Sequence, residues 1–199
     1  MQRPMPTDAN TDAGRRGRLF VVSAPSGAGK TTLCEAARRL LPHLVYSVSS
    51  TTRAPRQGEQ DGQDYFFISE AQFREGIETG RWAEWARVHD HYYGTSAQFI
   101  EEQLNAGRDL LLDIDVQGAA QILRCYPDAI TIFIMAPSPE TLRRRLTTRG
   151  LDSGAVIDNR MRNAEAEIAH RGLYRHVVVN DHLDTAVARF VSILTGEAG

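Results

Sequence analysis

Cysteine is nearly absent. Cys34 and Cys125 are the only two in 199 residues, too few for a disulfide framework and set in no metal-type spacing. They read as free thiols, so a reducing, cytoplasmic setting is the expectation. No apolar run approaches the roughly 18 residues that a membrane span needs. The opening residues, "MQRPMPTDANTDAGRRGR", hold no apolar stretch of the kind a secretory signal carries. They are polar and interrupted by proline and glycine, which predicts a mobile tail over residues 1–17. Charge of one sign is also missing in excess. The formal net charge is −2, so no global basic field is present to hold nucleic acid, and any anion must be bound by locally placed groups. Internal repeats are not evident, and neither composition nor motifs select between a monomer and a homo-oligomer.

What is present is an ordinary globular balance, 42% hydrophobic and 24% charged, over a length that suits one domain with insertions, residues 18–199. Short β-branched runs alternate with helical spacing. "RLFVVS" (18–23), "LVYSVS" (44–49), "DLLLDID" (109–115), "AITIFIM" (129–135) and "HVVVN" (176–180) read as strands. Between them "LCEAARRLL", "AQFIEEQLNAG", "VQGAAQILRC", "SPETLRRRLTTRG", "DSGAVIDNRMRNAEAEIAHRG" and "LDTAVARFVSILTG" read as helices, the fourth opened by Ser138 as N-cap and Pro139 in the first turn. Strands separated by helices predict βαβ units, hence an α/β fold of three layers around a central parallel sheet. The alternation breaks over residues 50–95, which holds one short helix ("AQFREGIETG") and strand or loop segments. That stretch reads as an inserted substrate-binding region.

"APSGAGKTT" (Ala24, Pro25, Ser26, Gly27, Ala28, Gly29, Lys30, Thr31, Thr32) matches the phosphate-loop pattern G-x-x-x-x-G-K-[ST], with Ala24 in the first glycine position. Small residues are needed there because backbone N–H groups must converge on phosphate oxygens. Lys30 would reach the β- and γ-phosphates and the Thr31 hydroxyl would ligate Mg²⁺. A strand before the loop and a helix after it are the context the motif requires. The chain is therefore expected to bind a nucleoside triphosphate, ATP rather than GTP, since no N-K-x-D-like guanine reader follows.

A phosphate loop alone fits an ATPase, a GTPase or a kinase. "SSTTRAPRQGEQDGQDYFF" (49–67) discriminates. Arg53 and Arg56 can clamp a phosphate dianion with forked guanidinium geometry, and Pro55 stiffens the backbone between them. Tyr65 and Tyr93 can add phenolic hydrogen bonds. In "RWAEWARV", Glu84 stands between two tryptophans, and a carboxylate in partly apolar surroundings must find donors. Guanine offers two in parallel, N1–H and the N2 amino group; adenine offers neither on that edge. Ser49 and Thr95 are hydroxyls that could complete the edge.

Taken together, "SAPSGAGKTT", "SVSSTTRAPRQGEQDGQDYFF", "HYYGTS", "LLLDIDVQGA", "RRRLTTRG" and "VVVND" resemble the guanylate kinases, from Leu19 to about Ile193 in order. The resemblance implies Mg²⁺-dependent transfer of the ATP γ-phosphate to GMP, with Ser49, Arg53, Arg56, Glu59, Tyr65, Glu84, Tyr93, Thr95 and Asp113 holding GMP. It implies a core of residues 18–49, 96–138 and 172–199, a GMP-binding region at 50–95 and a mobile lid at 139–171. Thr95 stands where serine is also common, and "APSPETLRRRL" looks one residue short of the commonest family loop. Asp113 and Asp115, two apart at the end of an apolar strand, share a face; Asp113 is assigned to the guanine side and Asp115 to the Mg²⁺ water shell. Arg145 and Arg149 share a helix face while Leu142 and Leu146 turn inward. With Arg160 they would close over the transferring phosphate, and with Lys30 and Arg53 they form the catalytic set. Arg143 and Arg144 read as a solvated face. Asn180 is placed either against adenine or as a turn residue.

His89 and His91 read as exposed rather than metal-binding, Cys34 as packed, and Trp82 and Trp85 as packing around the base pocket. Two other readings compete. A phosphoprotein-binding module of the same fold would have no use for an intact phosphate loop with lid arginines. A kinase acting on a phosphorylated sugar would have no use for Glu84.

Overall fold

The apolar β-branched runs become the strands of one parallel sheet whose central members are buried on both faces, while the edge strand at 176–179 leaves Val177 and Val179 exposed. In the computed structural model, which describes residues 15–88, 90–148 and 154–197, β1 (Leu19–Ser23) is buried along its whole length. Its side chains alternate between two cores. Phe20 and Val22 join one cluster with Leu33, Ala37 and Phe190; Leu19 and Val21 join another with Ile100, Ile122 and Phe133. The helices that supply these partners cover both faces: α1 (Lys30–Leu40) and α7 (Leu183–Thr195) on one, α3 (Ala97–Asn105) and α4 (Val116–Cys125) on the other.

With β2 (Val45–Tyr46), β7 (Leu110–Asp113), β8 (Ile130–Met135) and β9 (His176–Val179), the sheet runs in the order β2-β7-β1-β8-β9, every neighbouring pair parallel. The chain fills one side of β1 and then crosses to the other. Loops after β1 and β7 therefore diverge above the carboxyl ends of the strands, the place where open α/β sheets bind ligands.

The insertion builds a second sheet, ordered β4-β3-β6-β5, from β3 (Ser50–Thr51), β4 (Phe66–Phe67), β5 (Trp82–Val88) and β6 (His91–Ser96). Helix α2 (Glu70–Glu78) covers it. Ser69 and Gln72 cap α2 reciprocally, and fully buried Phe73 stacks on Trp82 and Tyr92 at 4.5 and 5.2 Å between ring centres. α5 (Pro139–Thr148) and α6 (Gly154–Ala169) pack a third cluster of their own, Leu142, Leu146, Ile157, Met161 and Ala164 with Ala136, while Ile168 of α6 packs on the cluster around Val21. The Ser138 hydroxyl accepts from the Thr141 N–H at 3.2 Å, the cap expected there.

Three boundaries differ from the sequence reading. The strand expected at 44–49 is split, because the chain passes from the core sheet at Tyr46 to the inserted sheet at Ser50, where Gly94 and Phe66 are its partners. The strand expected at 109–115 ends at Asp113, because Asp115 accepts from the Gly118 N–H at 2.8 Å and caps α4 instead. The tail expected to run free to residue 17 is tied from Arg15: Arg15 pairs with Asp109, Arg16 with Glu101, and the Gly17 N–H donates to the Leu104 carbonyl.

Candidate active site

The phosphate loop turns between β1 and α1 on two left-handed glycines, Gly27 at φ 87° and Gly29 at φ 96°. Gly29 is the N-cap of α1, with no side chain capping it, so the helix start is left open to an anion. Thr31 and Thr32 are exposed in the first turn. A cleft of about 460 Å³ lies over the loop, lined by Gly27, Gly29, Thr32, Arg144, Arg145 and Asn180. Arg143 and Arg144 are both exposed, as a solvated face requires; Arg143 pairs with Asp158, and Arg144 also borders the cleft.

A second cavity, about 360 Å³, opens between the two sheets and is lined by Ser49, Tyr65, Glu84, Tyr93, Asp113 and Asp115, with Glu167 reaching in from α6. Glu84 is buried, 6% exposed, on the edge strand β5. Its Oε1 accepts from Thr95 Oγ1 at 2.6 Å, and Ser49 Oγ lies 3.4 Å from that hydroxyl. Any side chain on Gly118 would begin 2.8 Å from Oε2, so the glycine leaves the carboxylate its room. Burial pushes the Glu84 carboxyl up to about 7; the Thr95 hydroxyl opposes the rise and Asp115 adds to it. Trp85, the next residue along the strand, faces away from Glu84 and is 37% exposed; Trp82, two residues back across a register shift, packs on Phe73, and neither tryptophan lines the cavity itself.

At the far end, Arg53 is held rigidly. Glu59 accepts from both of its terminal nitrogens at 2.9 and 3.0 Å and from the Arg56 N–H at 2.7 Å. The guanidinium lies 5.5 Å from the Tyr65 ring centre, and Tyr65 meets Tyr93 edge-on. The Arg53 pKa is raised above its ordinary value, first by the Glu59 hydrogen bonds. Glu59 was expected among the GMP ligands. Its carboxylate is spent on the loop, which is reasonable chemistry, since an acid aimed at a phosphate would repel it. Arg56 is exposed at the rim.

The two acids that end and follow β7 divide otherwise than expected. Asp113 contacts Lys30 Nζ and accepts from the Tyr46 hydroxyl at 2.8 Å. Asp115 caps α4 and acts electrostatically on Glu84. Asp113 therefore belongs to the lysine side and Asp115 to the carboxylate side. Arg145 lines the donor cleft and donates from Nη2 to the Asn180 carbonyl at 2.8 Å. Asn180 is buried, and its side chain is tied to the phosphate loop. Arg160 lies on α6, partly buried, while Arg149 and His89 lie outside the described residues; His91 is partly buried rather than exposed. Cys34 is packed, and burial raises its thiol well above the usual range. Among the described residues no three His, Cys, Asp or Glu side chains converge as a metal cage.

Sequence reasoning missed Tyr46 and Glu167. Tyr46 looked like one more strand residue, although a phenol ending an apolar run one strand from Asp113 was a usable signal. Glu167 sits in a helix rich in acids, where nothing distinguishes it.

Comparison with known proteins agrees with this geometry. The family model described as Guanylate kinase matches residues 16–197. The guanylate kinase of Geobacter metallireducens is 49% identical over 92% of this chain and 90% of its own. That of Dechloromonas aromatica is 50% identical over 86% and 85%, and that of Thermotoga maritima 43% over 92% and 88%. The crystal structure of guanylate kinase from Anaplasma phagocytophilum superposes with a TM-score of 0.72 at 34% identity, covering 92% of this chain and 86% of that one.

Proposed function

The chain belongs to the guanylate kinase family, an ATP:GMP phosphotransferase by that membership, and on this premise we propose how its residues divide the work. ATP occupies the cleft over the phosphate loop and GMP the cavity between the sheets, with Lys30 between them. The observation that carries the acceptor assignment is the buried Glu84–Thr95–Ser49 chain. A desolvated carboxylate there is satisfied by guanine N1–H and N2–H and left unpaired by adenine. Rejection of a ligand that lacks the required donor can reach roughly 10⁴-fold. Asp115 joins Glu84 on the base edge.

Arg53, Arg56, Tyr65 and Tyr93 hold the GMP phosphate, and Glu59 aims Arg53. An oxygen of that phosphate attacks the γ-phosphorus of ATP in line, the bond to the β,γ-bridging oxygen breaks, and ADP departs. Asp113 and Tyr46 hold Lys30 where charge develops on the transferring group. We treat α5 and α6 as a lid. It brings Arg145 to the donor side, and the resemblance adds Arg149 and Arg160. Electrostatic positioning of this kind is most of phosphoryl-transfer catalysis, and one arginine can be worth roughly 10³-fold.

Mg²⁺ fits the donor set. The Thr31 hydroxyl beside Lys30 and Asp113 offers few protein ligands, which suits an ion that keeps water and takes phosphate oxygens. When bound, it would neutralise charge on the β- and γ-phosphates. No helix among the described residues is long and apolar enough to cross a membrane, and both cysteines are free thiols. We therefore assign the activity to purine nucleotide metabolism in the cytoplasm.

The test is ADP release from ATP and Mg²⁺ with GMP, AMP, CMP and UMP offered in turn. Turnover with GMP alone is expected. Binding of ATP without turnover of any acceptor would falsify the assignment. Lys30 is the chain's only lysine, so once the more reactive α-amine is blocked an amine-directed reagent reports on the site. ATP should protect it.

A further inference from the structure

Asn180 joins three parts of the molecule. Its N–H donates to the Met135 carbonyl at 2.8 Å, which extends the β8–β9 ladder and fixes the residue to the core sheet. Its side-chain Nδ2 donates to the Ala28 carbonyl at 2.8 Å, inside the phosphate loop and between the two left-handed glycines. Its own carbonyl accepts from Arg145 Nη2 on α5 at 2.8 Å. The side chain has almost no freedom, for it is 6% exposed and a Cβ on Gly29 would stand 2.2 Å from Nδ2.

The peptide joining Ala28 to Gly29 is planar and trans, so its C=O and N–H point in opposite directions. Drawing the Ala28 carbonyl toward Asn180 therefore turns the Gly29 N–H away from Asn180, into the space the loop encloses. Gly29 on one side of that peptide, left-handed at φ 96°, makes it easy to flip, and the amide removes the choice. On the other side, the Arg145 guanidinium is held at the cleft by the Asn180 carbonyl while its Nη1 is buried with no hydrogen-bond partner. A buried, unpaired guanidinium nitrogen at the rim of an anion site is a donor held ready for phosphate.

We propose that Asn180 is a positioning residue that sets the phosphate loop's peptide orientation and registers the lid arginine against it, rather than a reader of the adenine base. The proposal rests on the donor-site reading above and deepens it.

The test measures equilibrium binding of ATP, Mg²⁺-tripolyphosphate and GMP to the full chain, wild type and two variants, by calorimetry. Asn180→Ala removes the loop anchor. Affinity for ATP and for tripolyphosphate should fall together, roughly tenfold, as for loss of one buried hydrogen bond, with GMP changed less than twofold. Asn180→Asp keeps the shape but sets an oxygen against the Ala28 carbonyl. Burial there raises the pKa of the introduced carboxyl, and its protonated form regains a donor. The N180D deficit relative to wild type should therefore be about tenfold at pH 8 and shrink to within about threefold at pH 6. If N180A fails to fold, this pH profile decides alone.

A loss confined to ATP, with tripolyphosphate unaffected, would mean that Asn180 reads adenine and overturns the proposal. So would a pH-independent N180D deficit, or parallel losses for ATP and GMP, which mark a merely structural residue. Wild type that binds ATP and tripolyphosphate but turns over no GMP would sink the kinase reading and leave the loop inference standing.

Discussion

Glu84 shows what a single buried carboxylate costs and what it returns. Its pKa is pushed up from 4.5 to about 7, so between those values the folded protein holds a proton that the unfolded chain has released. Stability contributed by this group is then fully present below about pH 4.5 and lost as pH rises through about 7. Without nucleotide, Glu84→Gln should be more stable than wild type at pH 8 by about 2–4 kcal/mol, since each tenfold change in proton affinity on folding is worth about 1.4 kcal/mol. At pH 5 the two should be nearly equal. Guanine binding needs the ionised form, so the sign reverses for the ligand. Guanosine avoids the phosphate's own ionisation near pH 6. Its inhibition constant against GMP should rise toward tenfold per pH unit below about 7 and be flat above. Denaturant melts and inhibition profiles of the two proteins check both halves; a flat wild-type profile would remove Glu84 from base recognition. Residue type and spacing pointed to Glu84 in the sequence, but not to Gly118, whose missing side chain makes its seat. That contact spans two elements, and no local pattern carries it.

At the scale of elements, the arginines flanking a proline mark the loop from Arg53 to Tyr65 as a candidate phosphate clamp. They do not mark its internal wiring. Glu59 lies six residues from Arg53 along the chain and looked like one more ligand, whereas folding back on the loop makes it the arginine's holder. Glu59→Gln keeps the shape and removes the charge that steadies Arg53. It should raise KM for GMP about tenfold through a less ordered charge-assisted contact, with KM for ATP unchanged. Steady-state kinetics with each nucleotide varied in turn would show it, and a matching rise in KM for ATP would mean a loop that fails more widely. The same limit explains the misplaced strand ends. Apolar runs marked where β2 and β7 lie, but the points where they stop are decided by partners distant in sequence: Gly94 and Phe66 for Ser50, the Gly118 N–H for Asp115. Periodicity also located α5 and its inward Leu142 and Leu146, though what they meet was outside its reach.

On the scale of the whole molecule, the apolar interior is divided unequally. Two clusters sandwich the parallel sheet, while α5 and α6 keep a small one of their own with Ala136. A separate cluster of this kind can form its own cooperative unit and unfold with its own free energy. Leu146 nevertheless reaches across. A Cβ added to Gly27 would come within 2.9 Å of Leu146 Cδ2, so the lid's leucine rests directly on the phosphate loop. Two truncations of similar chemistry should therefore behave differently. Ile132→Ala, at a fully buried position within strand β8, should destabilise the whole protein by about 2–5 kcal/mol and lower its melting temperature accordingly. Leu146→Ala, although its side chain is equally buried, should leave the main melting transition nearly in place. It should instead speed amide exchange across α5 and α6 and weaken ATP binding, because the loop loses the surface it packs on. Calorimetric melts and hydrogen exchange on the two variants decide the matter. If L146A lowers the melting temperature as far as I132A does, lid and core form one cooperative unit. Closure over the nucleotides would then have to bend the sheet's own packing rather than swing a separately stabilised pair of helices.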